Sequence, residues 1–339
     1  MQWVKTVLRT TPAVDANPAD TPAPISQAPN PAARPFVRYR EASPIAGILL
    51  LIISSCVLSG LDASGKWIMA AGLPLLVVTW VRYIVHLILA LILVLPSRGL
   101  RVLRSVRPRD QILRGIFMLA STMCFFTTLS RLPQAEATAI NFLAPLLLLA
   151  LAPWVLKEPG RVSRWIAAGV GFFGVLVIVR PGGGLDPLGV LFGLTTACLV
   201  AAQSIATRRV AVDHSSTTLV WSGAVGSAVM TLLLPLSLPP ALPLLASFSV
   251  LHWVVLGCTG LWGCLGHLLQ IKAFRNAPAS MLAPFVYFQI ISAAGLGWLI
   301  WGQFPDALTW IGIAIICVSG IGIGAYEWHT RQPTLKPAP

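Results

Sequence analysis

The chain has 339 residues, of which 56% are hydrophobic and only 10% are charged. A soluble protein carries about 25% charged residues, so this composition excludes an ordinary soluble enzyme and indicates an integral membrane protein. The net charge of +13 does not indicate nucleic-acid binding, because most lysines and arginines lie in short segments between apolar runs, where they report membrane topology.

Residues 1–43 contain many prolines among Ala, Thr and Ser, and end in a few arginines. Such a segment cannot bury enough apolar surface to offset its ordering entropy. We therefore expect a disordered cytoplasmic tail over 1–43, and a second cytoplasmic tail over 327–339.

Ten apolar runs follow, each close to the roughly 20 residues that cross a bilayer. The predicted spans are 44–62, 74–95, 111–130, 134–156, 162–179, 187–207, 217–237, 250–271, 279–301 and 307–326. With both termini in the cytoplasm, the basic segment 98–109 lies inside and only Lys66, Arg131 and Arg180 lie outside. This asymmetry predicts a multi-pass protein of the cytoplasmic (inner) membrane with that orientation.

The two halves of the chain echo each other. An offset of 145 or 142 residues brings like residues together, as in Pro133 and Pro278, Glu158 and Gln303, Trp165 and Trp310, Gly47 and Gly189, and Cys56 and Cys198. Five spans per half is an odd number, so the second copy enters the membrane inverted, as in many secondary transporters. Because the matches are few, chance similarity between two apolar sequences remains the alternative.

The fourth span combines apolar length with a polar stripe. Gln134, Thr138, Asn141 and Pro145 fall within roughly 60° of one another on a helix. Pro145 has no N–H for the carbonyl of Asn141, and a freed carbonyl at membrane depth needs protein, a cavity or water to satisfy it. The pattern predicts a kinked helix that lines a polar site, or else a kink packed against neighbouring helices.

Arg82 is the most informative charge, because it lies about 12 Å into the second span, where an ionisable residue suggests function. His86 lies one turn further on the same face, and Trp80 and Tyr83 flank the arginine. These side chains could hold a carboxylate or phosphate against an aromatic wall, with Trp80 stacking on the substrate. The alternative is a structural arginine that ties helix ends together.

Further polar residues could complete a neutral lining, or could hold helices together by hydrogen bonds. They are Gln203 and Thr207 of the sixth span, His267 and Gln270 of the eighth span, and Tyr287, with Asn141 in the fourth span. His267 could also couple proton movement to transport, although a lone histidine is more often structural. Near the outer surface, Asp62 and Lys66 have the spacing of a solvated salt bridge, and Glu136 is expected to be wet.

Two glycine patterns are interpreted as packing surfaces. Gly169, Gly171 and Gly174 spell a nucleotide-binding motif but lie in an apolar span without a preceding strand. Glycines at every third position from Gly257 to Gly266 trace a groove for close helix approach. The six cysteines lie singly in apolar runs without a metal-binding or redox spacing, so neither a metal nor a cofactor is expected.

Several segments carry a family resemblance. They are RGIFMLASTMCFFTTLSRLPQAEATAIN (114–141), LKE (156–158), GVGFFGVLVIVRPG (169–182) and APASMLAPFVYFQ (277–289). Together they resemble the EamA branch of the drug/metabolite transporter superfamily. The resemblance implies an all-α membrane protein with two five-helix EamA repeats, 44–180 and 186–326, around a central cavity, with kinks at Pro145 and Pro284. The usual glycine-glutamate after the fourth helix is Lys157-Glu158 here and Gly302-Gln303 in the second repeat, which argues against a symmetric carboxylate pair.

These observations predict a secondary transporter that moves a small polar or amphipathic metabolite across the membrane by alternating access. The pattern resembles subgroups that include riboflavin and S-adenosylmethionine uptake carriers, and this resemblance favours vitamin or nucleoside-like uptake. Export of an amino acid, another metabolite or a drug is the alternative. The expected partners are a small-molecule substrate and the lipid bilayer, with the chain a monomer or homodimer. A membrane enzyme is disfavoured, because no metalloprotease motif, phosphate-binding loop or acidic pair occurs within a span. A channel is disfavoured because it would not need the inverted repeat.

Overall fold

The apolar runs form helices, and the computed structural model describes them over residues 44–156, 162–180, 184–277 and 279–331. Among these residues, ten helical segments are long and apolar enough to cross a membrane, as predicted. The predicted tail 1–43, most of the predicted tail 327–339, Pro278 and the Lys157-Glu158 pair lie outside the described residues.

Thirteen α-helices make up the described chain. They are α1 (Pro44–Ala70), α2 (Leu75–Arg98), α3 (Pro108–Arg131), α4 (Gln134–Asn141), α5 (Ala144–Leu156), α6 (Val162–Val179), α7 (Pro187–Arg209), α8 (Ser215–Leu233), α9 (Leu238–Ala246), α10 (Val250–Asn276), α11 (Ala279–Val286), α12 (Phe288–Trp301) and α13 (Ala307–Arg331). Helix α1 continues eight residues beyond its predicted end at residue 62, and the short helix α9 was not predicted.

Two spans are each divided into two helices. The fourth span breaks at Phe142 and Leu143, directly before the turn that contains Pro145, and the ninth breaks at Tyr287. Pro284 lies inside α11, three residues before its break, so the position of this proline does not explain that break. Phe142 and Tyr287 are related by the 145-residue offset, and their ring centroids lie 5.1 Å apart. The two interruptions therefore meet inside the bundle.

The helix packing repeats between the halves. Helix α1 packs mainly on α10, and the equivalent helix α7 packs mainly on α3; likewise α2 contacts both α8 and α10, while α8 contacts both α2 and α3. Helices α6 and α13, which end the two halves, pack on each other. Each half therefore completes its packing with helices of the other half.

Equivalent close contacts lie at opposite ends of the bundle. A methyl group on Gly47 would lie 2.7 Å from Cβ of Ala277, and one on Gly189 would lie 2.9 Å from Cγ of Leu132. The repeat offsets relate these two contacts to each other. Five crossings separate the start of α1 from the start of α7, so the contacts stand at opposite ends, as an inverted repeat requires.

The two ends of the bundle are named here by their charge. The basic end holds the segment 98–109 and the turn 210–214 that joins α7 to α8. The opposite end holds the turns 71–74, 132–133 and 302–306.

The glycines of α10 form the predicted groove. Methyl groups on Gly260 and Gly266 would contact Val85 of α2 and Leu58 of α1 at 2.4 and 2.6 Å, whereas one on Gly257 would meet nothing within 4 Å. These two glycines therefore let three helices approach closely around the centre of the bundle.

Candidate substrate site

A cavity of about 450 Å³ opens between α3, α7, α8 and α10 in the basic half of the bundle. Its polar lining comes from all four of these helices and the turn before α8. The polar residues are Arg114, Thr207, Asp213, Ser215, Thr218, Ser222, His267, Gln270 and Arg275. Met118, Leu219, Ile271 and Phe274 supply apolar wall, so the cavity suits a small amphipathic molecule.

Arg114 is the central cation of this cavity. Its Nε donates to Thr207 Oγ1 at 2.8 Å, and its Nη1 donates to Ser222 Oγ. Among the described residues, no carboxylate lies within salt-bridge distance of Arg114. A guanidinium held only by neutral hydroxyls keeps its charge and further N–H donors available for an anionic group.

Asp213, the one carboxylate among the described lining residues, is occupied. Its Oδ2 accepts from Ser105 Oγ and Gln111 Nε2 at 2.5 and 2.9 Å, and its Oδ1 accepts from the backbone N–H of Val106 at 2.8 Å. Burial raises the pKa of Asp213, but these hydrogen bonds and the charge of Arg107 lower it further, so the net shift is downward. This carboxylate therefore anchors the 105–107 segment.

Arg82 lies deeper than the cavity and is buried. Its Nη1 donates to Thr122 Oγ1 at 2.6 Å, and its guanidinium lies 5.1 and 5.5 Å from the ring centres of Tyr83 and Phe126. Because the Thr122 hydroxyl donates to the carbonyl of Met118, Thr122 accepts from both Arg82 and Tyr83. Of the two aromatic residues predicted to flank Arg82, Tyr83 therefore contacts the guanidinium, whereas Trp80 bonds Thr231.

Two histidines connect Arg82 with the cavity. His86 and His267 meet edge to face with ring centroids 6.2 Å apart, and His267 lines the cavity. A methyl group on Gly263 would lie 3.7 Å from His86 Nδ1 and 3.9 Å from Arg82 Nε. Gly263 is one helical turn, about 6 Å, from His267, so Arg82 lies about one turn below the cavity.

A group of acceptor oxygens lies on α1 and α4. Gln134 Nε2 donates to the carbonyl of Ser59 at 2.9 Å, which sets the polar stripe of α4 against α1. Five buried oxygens of these two helices have no hydrogen-bond partner among the described residues: Asp62 Oδ2, Gln134 Oε1, Glu136 Oε2, Thr138 Oγ1 and Asn141 Oδ1. Unpaired buried acceptors are costly, so this surface suits a ligand or water that donates hydrogen bonds.

The opposite end is held by different contacts. Lys66 Nζ donates to the carbonyl of Leu132 at 2.7 Å and to Gln303 Oε1 at 3.4 Å, and it lies 5.0 Å from the ring centre of Trp301. The expected salt bridge with Asp62 is wrong, because Lys66 turns toward the α3–α4 turn and Asp62 is buried. Glu136, expected to be wet, is also buried.

Two ion pairs join further helices at this end. Arg131 Nη1 of α3 contacts Asp186 Oδ2 before α7 at 2.6 Å, and Arg180 after α6 contacts Asp306 before α13. The Arg131 hydrogen bond lowers the pKa of Asp186, and the Arg180 hydrogen bond lowers the pKa of Asp306. Arg131 and Arg180 are therefore each paired with a carboxylate, and these pairs tie the helix ends together.

The structure brings together only part of the predicted site. His267 and Gln270 line the cavity, and Arg82 and His86 lie beneath it. The remaining four predicted residues lie elsewhere. Trp80 Nε1 donates to Thr231 Oγ1 at 3.0 Å, Asn141 lies at the end of α4, Gln203 is half-buried one turn from Thr207, and Tyr287 packs its hydroxyl on Gly320.

Sequence reasoning placed Thr207 in the candidate lining but missed Arg114 and Ser222. Arg114 lies six residues into α3, about 9 Å from its start, and its charge within an apolar run was the available signal. The Ser222 hydroxyl carries no such signal, because Ser and Thr are common in membrane helices, where they often bond the backbone one turn earlier. Thr207 and Ser222 do so with Gln203 and Thr218.

Ten spans in two inverted halves, with a polar cavity between the halves, define a polytopic membrane protein of the carrier type. The model of the EamA-like transporter family matches residues 45–180 and again 187–324. The chain belongs to this family.

Individual relatives are transporters. A pseudopaline exporter of Pseudomonas aeruginosa (strain UCBPP-PA14) is 28% identical over 287 residues, covering 82% of this chain and 95% of that protein. An S-adenosylmethionine uptake transporter of Rickettsia bellii is 28% identical over 64% of this chain and 73% of its own. A riboflavin transporter of Vibrio cholerae is 24% identical over 85% of this chain and 95% of that protein.

One solved crystal structure shares the fold. It superposes with a TM-score of 0.55 and 19% sequence identity, and the match covers 84% of this chain and 97% of the other. At this level of identity the match supports the ten-helix architecture alone.

Proposed function

We propose that this protein is a secondary carrier that moves a small amphipathic metabolite with a carboxylate or phosphate group across the cytoplasmic membrane by alternating access. The observation that carries the proposal is the cavity with Arg114 in its wall and Arg82 one turn below. Arg82 is buried and Arg114 is half-buried, and the described hydrogen-bond partners of both guanidinium groups are neutral hydroxyls. This arrangement favours an anionic ligand group.

Hydrogen-bonding groups refine the proposed substrate class. Gln270, Thr218 and His267 can donate to or accept from polar atoms of the ligand, while the acceptor oxygens of α1 and α4 favour a ligand with N–H or O–H donors. An acidic group combined with donors and a hydrophobic body is the chemistry of a vitamin or nucleoside-like metabolite. Uptake of such a compound is the preferred direction.

Alternating access is supported by the difference between the ends. The cavity lies in the basic half, while Lys66 and the two ion pairs tie the opposite half together. The positive-inside rule places the basic end in the cytoplasm, so this arrangement corresponds to an inward-facing state with both termini cytoplasmic. Rocking of one half against the other about the breaks at Phe142 and Tyr287 would expose the cavity to the other side.

Export is the second candidate direction. It is favoured by the pseudopaline exporter, which matches over 95% of its length, more than the S-adenosylmethionine uptake transporter does. The cavity chemistry is the same for either direction. Uptake measured separately in right-side-out and inside-out vesicles distinguishes them under an imposed gradient.

The test of the proposed function combines ligand screening with flux. Purified protein is screened by thermal shift against carboxylated and phosphorylated metabolites, and the best ligand is then used for counterflow in proteoliposomes. We expect saturable exchange. An ohmic current would indicate a channel, and conversion of the ligand would indicate an enzyme; either result contradicts a carrier.

Arg82→Ala tests the deep cation in the same assay. We expect the ligand-induced shift to fall by at least half, because a charge-assisted hydrogen bond in a buried site is lost. Arg109→Gln on the exposed start of α3 removes a charge away from the cavity and is the control. If the ligand stabilises Arg82→Ala as much as the parent, Arg82 does not contact the substrate.

A further inference from the structure

A second polar cavity of about 710 Å³ lies at the surface of the basic end, apart from the substrate cavity. Its described lining contains four arginines (Arg98, Arg101, Arg104 and Arg275) and one carboxylate, Asp213. Asp213 already accepts three hydrogen bonds from the 105–111 region. The cavity therefore carries a strong excess of positive charge.

Two of these arginines converge on one imidazole. Arg98 Nη2 lies 2.6 Å and Arg275 Nη2 lies 3.1 Å from the same atom, His214 Nε2. The other ring nitrogen, Nδ1, accepts from the backbone N–H of Ser216 at 3.1 Å and caps the amino terminus of α8. Three donors of this cavity thus point at one side chain.

His214 cannot satisfy all three donors. A neutral imidazole has one N–H and one acceptor nitrogen. If Nδ1 accepts from Ser216, Nε2 carries the proton and cannot accept from either arginine. Among the residues that the structure describes, His214 therefore offers this cluster fewer acceptors than it has donors, and an anion placed between Arg98 and Arg275 would provide those that are missing.

The geometry points to a phosphate-binding site in this cavity. We propose that the ligand is the phosphate group of an anionic phospholipid, held by Arg98, Arg101, Arg104 and Arg275. The position of the site favours a lipid source, because the arginines lie where membrane-spanning helices α2, α8 and α10 end, at the height of the headgroups. Basic pockets at the cytoplasmic ends of membrane helices have this chemistry.

The site borders the substrate cavity. Asp213 and Arg275 line both cavities, and Arg275 Nη2 also donates to Ser215 Oγ at 2.7 Å. A bound headgroup would fix the turn between α7 and α8 beside the mouth of the substrate cavity. This inference is independent of the proposed transport function, and its test uses stability alone.

The experiment compares full-length protein in nanodiscs of pure phosphatidylcholine with protein in nanodiscs containing phosphatidylglycerol. We expect phosphatidylglycerol to raise the unfolding temperature of the parent by about 5 °C, as saturating binding to the folded state does. The double variant Arg98→Gln, Arg101→Gln should lose most of this shift. The matched double variant Arg109→Gln, Lys272→Gln removes two exposed charges from the same end and should keep it.

Inorganic phosphate in detergent is the second arm. If phosphate stabilises the parent while phosphatidylglycerol does not, the site takes a free anion and the lipid assignment is wrong. An equal loss in both double variants would mean general surface attraction instead of a site. The absence of any shift in the parent with either probe would overturn the proposal.

Discussion

The two ends of the bundle treat charge in opposite ways. At the opposite end, Arg131 and Arg180 each meet a carboxylate. In the basic half, Arg114 meets hydroxyls, and Arg98 and Arg275 meet an imidazole. Arg82, deeper in the bundle, meets the hydroxyl of Thr122. Paired charges hold helix ends together, whereas cations without a carboxylate partner keep their charge for a ligand. This difference in charge pairing indicates that the bundle is closed at the opposite end and binds its ligand nearer the basic end.

Arg114→Gln should give the largest effect on the basic half. We expect ligand affinity to fall by about 10- to 100-fold, because a hydrogen bond to a charged group contributes about 1.5–3 kcal/mol. Isothermal titration with the ligand identified by screening measures it, with Arg109→Gln on the same helix as control. If Arg114→Gln leaves the affinity unchanged, Arg114 does not bind the ligand, and the contrast with the arginines paired to carboxylates is wrong.

Gly260→Ala tests the packing beneath the cavity. The new methyl group would lie 2.4 Å from Cβ of Val85 and 2.8 Å from the carbonyl of Arg82, which separates α2 from α10. We expect a loss of about 1–3 kcal/mol in stability, measured by thermal unfolding in detergent. Gly257→Ala, on the same helix with no atom within 4 Å, should be neutral or stabilising. Equal losses would indicate a general intolerance of α10 to alanine.

Lys66→Met should loosen the opposite end. Loss of the contact with the Leu132 carbonyl removes a charge-assisted bond of about 1 kcal/mol, so the open population rises about fivefold. Labelling of a cysteine introduced at buried Ala135 by an impermeant maleimide measures this opening. Lys272→Met at the basic end is the control, and equal labelling rates in the two variants would contradict a gate at Lys66.

Lowering the pH should weaken the ion pairs at the opposite end, with the smallest effect of the four predictions. Asp186 and Asp306 have lowered pKa values, so their stabilising contribution is present above the unfolded value of about 3.9 and is lost as the pH falls below it. Because pH 4 lies only at the start of this loss and exposed ion pairs are weak, we expect labelling at residue 135, normalised to that of a fully exposed cysteine, to rise at most about twofold between pH 6 and pH 4. The variant Asp306→Asn should reduce that rise, and an unchanged pH profile would exclude this pair.

Prediction from sequence succeeded for properties that depend on one helix alone. Apolar length located the ten spans, and the offsets that pair Gly47 with Gly189 anticipated equivalent packing contacts. The prediction failed for contacts between side chains on two different helices. Lys66 donates to the carbonyl of Leu132 and not to Asp62 one turn away. Trp80 donates to Thr231 and does not stack beside Arg82. Helical spacing gives the face of a residue, and it does not give the partner opposite that face.

The sequence by itself determined the membrane location, the number of spans, the repeat and the presence of buried cations, because hydrophobic length and charge are local properties that a bilayer sorts directly. Only the tertiary structure decided which cations share a cavity. Arg114 became central because α7 and α8 bring Thr207 and Ser222 to it from about 100 residues away along the chain. Binding sites in such a bundle arise from side chains on different helices, and their convergence depends on packing that no single segment encodes.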